Sequence, residues 1–165
     1  MHVAMGQTEA EATRCSIERT LAIVGEKWSL LVLREVFYGA ERFDDIQRAL
    51  GCSRDILSRR LSTLVEAGIL TRANYRVPGE RTRPAYGLTE QGKELFPVLL
   101  ALMQWGDKYV APPEGPSVLV RAKSDDRPVR VEVTTDGSHR TVSADEVTFA
   151  PGPGHAERLA TSSGI

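Results

Sequence analysis

The chain has 165 residues, 41% of them hydrophobic and 26% charged, with a formal net charge of −1. That length suits one globular domain plus an extension, and the apolar fraction is enough for a core. The apolar runs are far shorter than the roughly 18 residues of a membrane span, and the first residues lack the pattern of a secretory signal.

Cys15 and Cys52 are too few for a disulfide scaffold and form no CxxC pair, so a reduced, cytoplasmic setting is expected. His2, His139 and His155 are scattered, and no His, Cys or acid cluster has metal or triad spacing. The expectation is therefore a non-enzyme without metal or cofactor.

Charge is unevenly spread. Between Arg48 and Tyr86 there are eight arginines and no lysine, against three acids, Asp55, Glu66 and Glu80. Arginine offers a planar fork suited to phosphates and guanine edges, although a solvated charged face is the usual explanation of such a cluster.

In chain order, residues 1–12 read as a flexible N-terminus, and 13–110 as a single domain. Ile17, Leu21 and Val24 recur at helical spacing from Cys15, with Thr13 or Ser16 as cap. After Gly25, residues 27–38 read as a second helix with Trp28, Leu31, Val32, Val36 and Phe37 on its apolar face, stopped by Gly39. Glu41–Phe43 reads as extended. Asp44 is the expected cap of a third helix over 45–50, which Gly51 ends.

Ser53 is a good N-cap for the next stripe, Ile56, Leu57, Leu61, Leu64 and Val65, which runs to Gly68. Two helices joined by a short Gly-containing turn make a helix-turn-helix. The opposite face of the second carries Arg54, Asp55, Ser58, Arg59 and Ser62, which are small, polar or basic and fit a major groove. Strands over 69–75 and 85–88 then enclose Pro78-Gly79 and several arginines, the signature of a hairpin with a basic tip. A basic hairpin after a helix-turn-helix is a wing.

Thr89 caps a further helix, whose stripe is Leu95, Val98, Leu99, Leu102 and Trp105; Pro97 should kink or divide it. This stripe and that of helix one exceed what a small winged helix can cover. A symmetric dimer using Ile17, Leu21, Leu99, Leu102 and Trp105 is one solution, and packing of the two stripes within one chain is the other. Residues 111–116 read as a linker and 117–150 as a small β-rich extension. Its expected strands are 118–120, 129–133, 142 and 147–149, with a hairpin turn at Thr135-Asp136-Gly137. The composition of 151–165 predicts a disordered tail.

The fold class is thus mainly α with a small β wing (α+β). The order of elements, together with particular residues, resembles the HxlR-type winged helix-turn-helix regulators of bacteria. Those residues include Cys15, Gly25-Glu26-Lys27-Trp28, Gly39, Arg42-Phe43, Leu57-Ser58-Arg59-Arg60-Leu61, Leu64 and Gly68. Arg72, Tyr75, Tyr86, Leu88-Thr89, Gly92, Leu95-Phe96-Pro97 and Trp105 complete the match over about residues 13–110. Gly25-Glu26 stands where the family more often has two glycines, and Cys52 where it has a small aliphatic residue. Some members carry a cysteine-containing, zinc-ribbon-like extension, whereas 117–150 here hold no cysteine.

The resemblance implies a homodimeric transcription factor binding an inverted repeat in double-stranded DNA. The residues expected at base edges are Ser53, Arg54, Asp55, Ser58 and Arg59. Arg76, Arg81 and Arg83 are expected at phosphates or the minor groove. Arg60 lies nearer the core-facing edge, where pairing with Glu66 or another acid is as good a reading as a DNA contact.

Two signal inputs are expected. Cys15 is either a small buried hydrophobe or an oxidant- and electrophile-sensing thiol, as in some family members. The helix dipole, Arg14 and Arg19 favour the thiolate, and Glu18 opposes it. The second input is a small effector in an aromatic pocket at the dimer interface drawing on Trp28, Phe37, Trp105 or Tyr109. The alternative to DNA binding is a winged helix used only for protein contacts.

Overall fold

The computed structural model describes residues 15–75 and 83–150. The described residues begin with four helices, α1 (Ser16–Val24), α2 (Lys27–Phe37), α3 (Phe43–Leu50) and α4 (Arg54–Glu66). An antiparallel hairpin of β1 (Leu70–Tyr75) and β2 (Arg83–Leu88) follows, in register from Leu70 opposite Leu88 to Tyr75 opposite Arg83. The order then closes with α5 (Glu90–Lys93) and α6 (Phe96–Tyr109).

The stripes read from the sequence meet in one core. Val32, Leu33 and Val36 of α2 pack with Ile46 of α3, with Leu57, Leu61 and Leu64 of α4, and with Leu70 and Tyr86 of the hairpin. Burying this set fixes α4 across α2 with its polar face outward, which is the link from pattern to site. Burial of each large aliphatic side chain contributes roughly 1.5–3 kcal/mol before entropy is set against it.

The hairpin gains a third partner from the segment before α3. Arg42 bridges Ala85, and Tyr86 N donates to Glu41 O at 2.8 Å. This corrects the expected start of α3. Held against β2, Arg42 keeps extended dihedrals (φ −92°, ψ 142°) and becomes the N-cap, so Asp44 falls in the first turn and caps nothing.

Pro97 divides the last helical stretch as expected and stands in the first turn of α6, where its missing N–H costs no helix bond. At the other side of the break, Thr89 Oγ1 accepts from Gly92 N (2.9 Å) and donates to Gly68 O (2.6 Å), fastening α5 to the end of α4. Gly92 permits that approach, because a Cβ there would lie 2.2 Å from Ile69 O. Gly92→Ala is expected to destabilise the domain by about 2–3 kcal/mol through forced displacement of backbone. A urea titration measures this, and an unchanged midpoint contradicts it.

The expected strands of 117–150 are reduced to two looped turns, each closed by a single β-bridge, Arg121 with Pro128 and Thr134 with Thr141. The turn at Thr135-Asp136-Gly137 is present, with Thr135 N donating to Arg140 O at 2.9 Å and Gly137 at φ +78°. Residues 144–146 form a 3₁₀ turn closed by a Ser143–Glu146 capping box. Its carboxyls are held below their ordinary values, Asp145 by the Ser143 hydroxyl and Glu146 by the Ser143 backbone N–H and then Arg140. The segment docks on α6 through Gln104, which donates to Val129 O (3.0 Å) and accepts from Val131 N (3.1 Å).

Candidate nucleic-acid interface

The helix-turn-helix is α3, a turn over Gly51–Ser53, and α4. Gly51 supplies the left-handed conformation that ends α3 (φ +65°), and its N–H bonds to Gln47 O at 2.8 Å. Ser53 then caps α4 by accepting from Ile56 N at 3.3 Å. Ser53, expected at a base edge, is thus also the residue that starts the presented helix.

Between α4 and the hairpin lies a polar groove of about 830 Å³. Arg54, Asp55, Ser58 and Ser62 line it from α4, Arg72 and Tyr75 from β1, and Arg83 from β2. Arg42, Asp44, Asp45 and Arg48 complete its charged lining, five arginines against three aspartates. Arg59 is exposed on α4 but outside this lining, on the outer edge of the helix. Arg76 and Arg81 lie outside the described residues.

Several arginines in the groove are positioned in detail. Arg54 Nη1 donates to Asp44 Oδ1 and to Gln47 Oε1, each at 3.2 Å, and its guanidinium lies 4.7 Å from the centre of the Phe43 ring. Arg83 Nη1 donates to the other Asp44 oxygen at 2.9 Å. Arg42 stacks on Tyr75 at 4.8 Å, so the segment before α3 also fastens the hairpin. Sequence reasoning missed Arg42, Asp44 and Tyr75 as parts of this surface. Arg60 points the other way: it is largely buried and pairs with Glu26 at 3.8 Å, the "another acid" of the expectation rather than Glu66.

The expected dimer residues divide. Ile17 (72% exposed), Leu21 (54%), Leu102 (54%) and Trp105 (61%) stand in solvent, while Leu99 is half-buried against the core. The expected effector aromatics do not come together within one chain. Phe37 stacks on Phe96 (5.6 Å between centroids) in an apolar cavity of about 270 Å³ between α2 and α6. Trp28 packs on the core instead, and Trp105 and Tyr109 stack on each other, exposed, at 5.4 Å. Val120 of the extension forms part of the cavity wall, a residue the aromatic count did not suggest. Cys15 is half-buried as the N-cap of α1, and Cys52 is buried in the turn before α4.

The family model described as HxlR-like helix-turn-helix matches residues 23–114. The chain belongs to this family. Its members are transcriptional regulators, not enzymes. An HTH-type transcriptional regulator of Mycobacterium tuberculosis (strain H37Rv) is 42% identical over 147 residues, 89% of this chain and 92% of its own. The crystal structure of PA1607 superposes with a TM-score of 0.78 at 31% identity, covering 88% of this chain and 100% of that one. The redox regulator HypR in its oxidised form matches at TM-score 0.52 and 29% identity, covering 57% of this chain and 96% of its own. These matches thus cover either nearly nine-tenths of this chain or a little over half of it. Among the described residues, no helix is long and apolar enough to cross a membrane.

Proposed function

We propose that this HxlR-like regulator binds an inverted-repeat operator as a homodimer, with α4 in the major groove and the hairpin on the flanking backbone. The observation that carries the reading is the groove between α4 and the wing, where arginines from four elements converge beside a helix face of small polar side chains. Arg54, Asp55 and Ser58 are assigned to base edges, with Ser53 and Arg59 at the helix start and outer edge. Arg83, with Arg76 and Arg81 beyond the described residues, is assigned to the backbone, where contacts add affinity more than sequence choice. The exposed faces of α1 (Ile17, Leu21) and α6 (Leu102, Trp105) support the dimer, since a lone chain leaves them in water. Residues 117–150 are assigned to an appended module seated on α6.

Fluorescence anisotropy with a duplex from the gene's own upstream region, titrated at several salt concentrations, tests this. Binding should weaken steeply as salt rises, in proportion to the phosphates contacted. No binding at low salt would favour the protein-interaction reading instead.

A thiol input is supported by two observations, the half-buried Cys15 standing at the N-cap of α1 and the likeness to a redox regulator. Diamide or hypochlorite is expected to change operator affinity in the wild type and to leave Cys15→Ser unaffected. An unchanged wild type removes the thiol switch and leaves the α2–α6 cavity as the place for a small effector.

A further inference from the structure

Asp44 lines the groove from the first turn of α3, and its two oxygens serve two different elements. Oδ1 accepts from Arg54 of the recognition helix (3.2 Å) and Oδ2 from Arg83 of the wing (2.9 Å). Neither a capping nor a core role accounts for this, since α3 starts from Arg42 without a side-chain cap bond and the Asp44 side chain is 44% exposed. Exposed ion pairs contribute little stability. A carboxylate taking one bond from each of two guanidinium groups offers them anionic acceptors of the kind that DNA also supplies.

We infer that Asp44 is an internal competitor of DNA: in the DNA-free protein it occupies Arg54 and Arg83, and so limits how tightly the cognate site is held. This rests on the DNA-binding reading above. For both guanidinium groups to contact a duplex, both bonds must be exchanged for acceptors on the DNA. A cognate site supplies a base edge to Arg54 and a phosphate to Arg83, so the exchange is complete. A non-cognate duplex supplies the phosphate but no matching base edge, so Arg83 exchanges while Arg54 stays on Asp44. The cognate complex thus breaks both Asp44 pairs and the non-cognate complex only one, so the carboxylate holds down affinity for the cognate site more than for other DNA. Gln47 and the Phe43 ring, which also hold Arg54, keep its fork aligned during the exchange.

The test compares the full chain with its Asp44→Asn variant on two probes, a 30-base-pair duplex of random sequence and a duplex selected by the wild-type protein from a random library. Asp44→Asn should raise affinity for the selected duplex roughly three- to tenfold while changing affinity for the random duplex less than twofold, so the ratio rises. Asp45→Asn is the charge control. It removes the same unit of charge from a neighbouring groove residue that pairs with Arg48 (3.1 Å), and should raise both affinities by one common factor. A common factor for Asp44→Asn as well, or a lower ratio, overturns the inference while leaving DNA binding intact. A wild type that binds neither probe overturns the DNA-binding reading and the inference with it.

Discussion

Arg54→Ala lowers operator affinity by about 1–3 kcal/mol, with the loss confined to one position of each half-site. Arg54 is exposed at the start of α4, yet three partners, Asp44, Gln47 and the Phe43 ring, fix where its guanidinium sits. A fork held in place before DNA arrives loses less rotamer freedom on binding, and its planar donors match the two acceptors of a guanine edge. Arg54→Lys keeps the charge and loses the fork, so it should fall nearer to alanine than to wild type at that base. A competition assay against duplexes altered at each position reads the effect. A loss spread evenly over all sequences would move Arg54 from base reading to the backbone.

The larger effect is expected from the α6 face. Leu102→Glu places a carboxylate on a residue that a single chain leaves 54% exposed, so the monomer fold should stand, with an unchanged helical circular dichroism spectrum. In a dimer joined through that face the charge would be buried against apolar groups and split the pair. Each protomer then binds one half-site alone. Because joining two half-site contacts raises avidity by about 10²–10⁴, operator affinity should fall by that order. Sedimentation of the variant should give a monomer where the wild type gives a dimer. A dimeric variant with full affinity would place the interface elsewhere.

Both predictions show how far the sequence carries. The recognition helix was legible because its marks are local: a serine cap, a leucine stripe at helical spacing and a glycine at either end. Arg54 was legible with it, as a basic residue on the polar face. Asp44 was not, since an aspartate before a helix looks like a cap. What displaced it was a β-bridge to Ala85 that starts α3 earlier, and a contact with Arg83 39 residues away. Local pattern carries no signal of either. The extension shows the same limit from the other side. Valines alternating with polar residues over 129–133 look like a strand, but a strand needs a neighbouring edge, and here Gln104 of α6 takes the backbone groups of Val129 and Val131 instead. The effector aromatics were grouped by residue type, whereas helix geometry sends Phe37 to the α2–α6 cavity and Trp105 to the outer face.

Hydroxyl-radical footprinting of the wild-type protein on its selected duplex tests the central claim most directly. Two protected patches related by a dyad are expected, with half-site centres about one duplex turn apart, roughly 34 Å, or a multiple of that spacing. Protection flanking each half-site should weaken when Arg83 is replaced by alanine. A single unpaired patch, or no protection at low salt, would contradict the account.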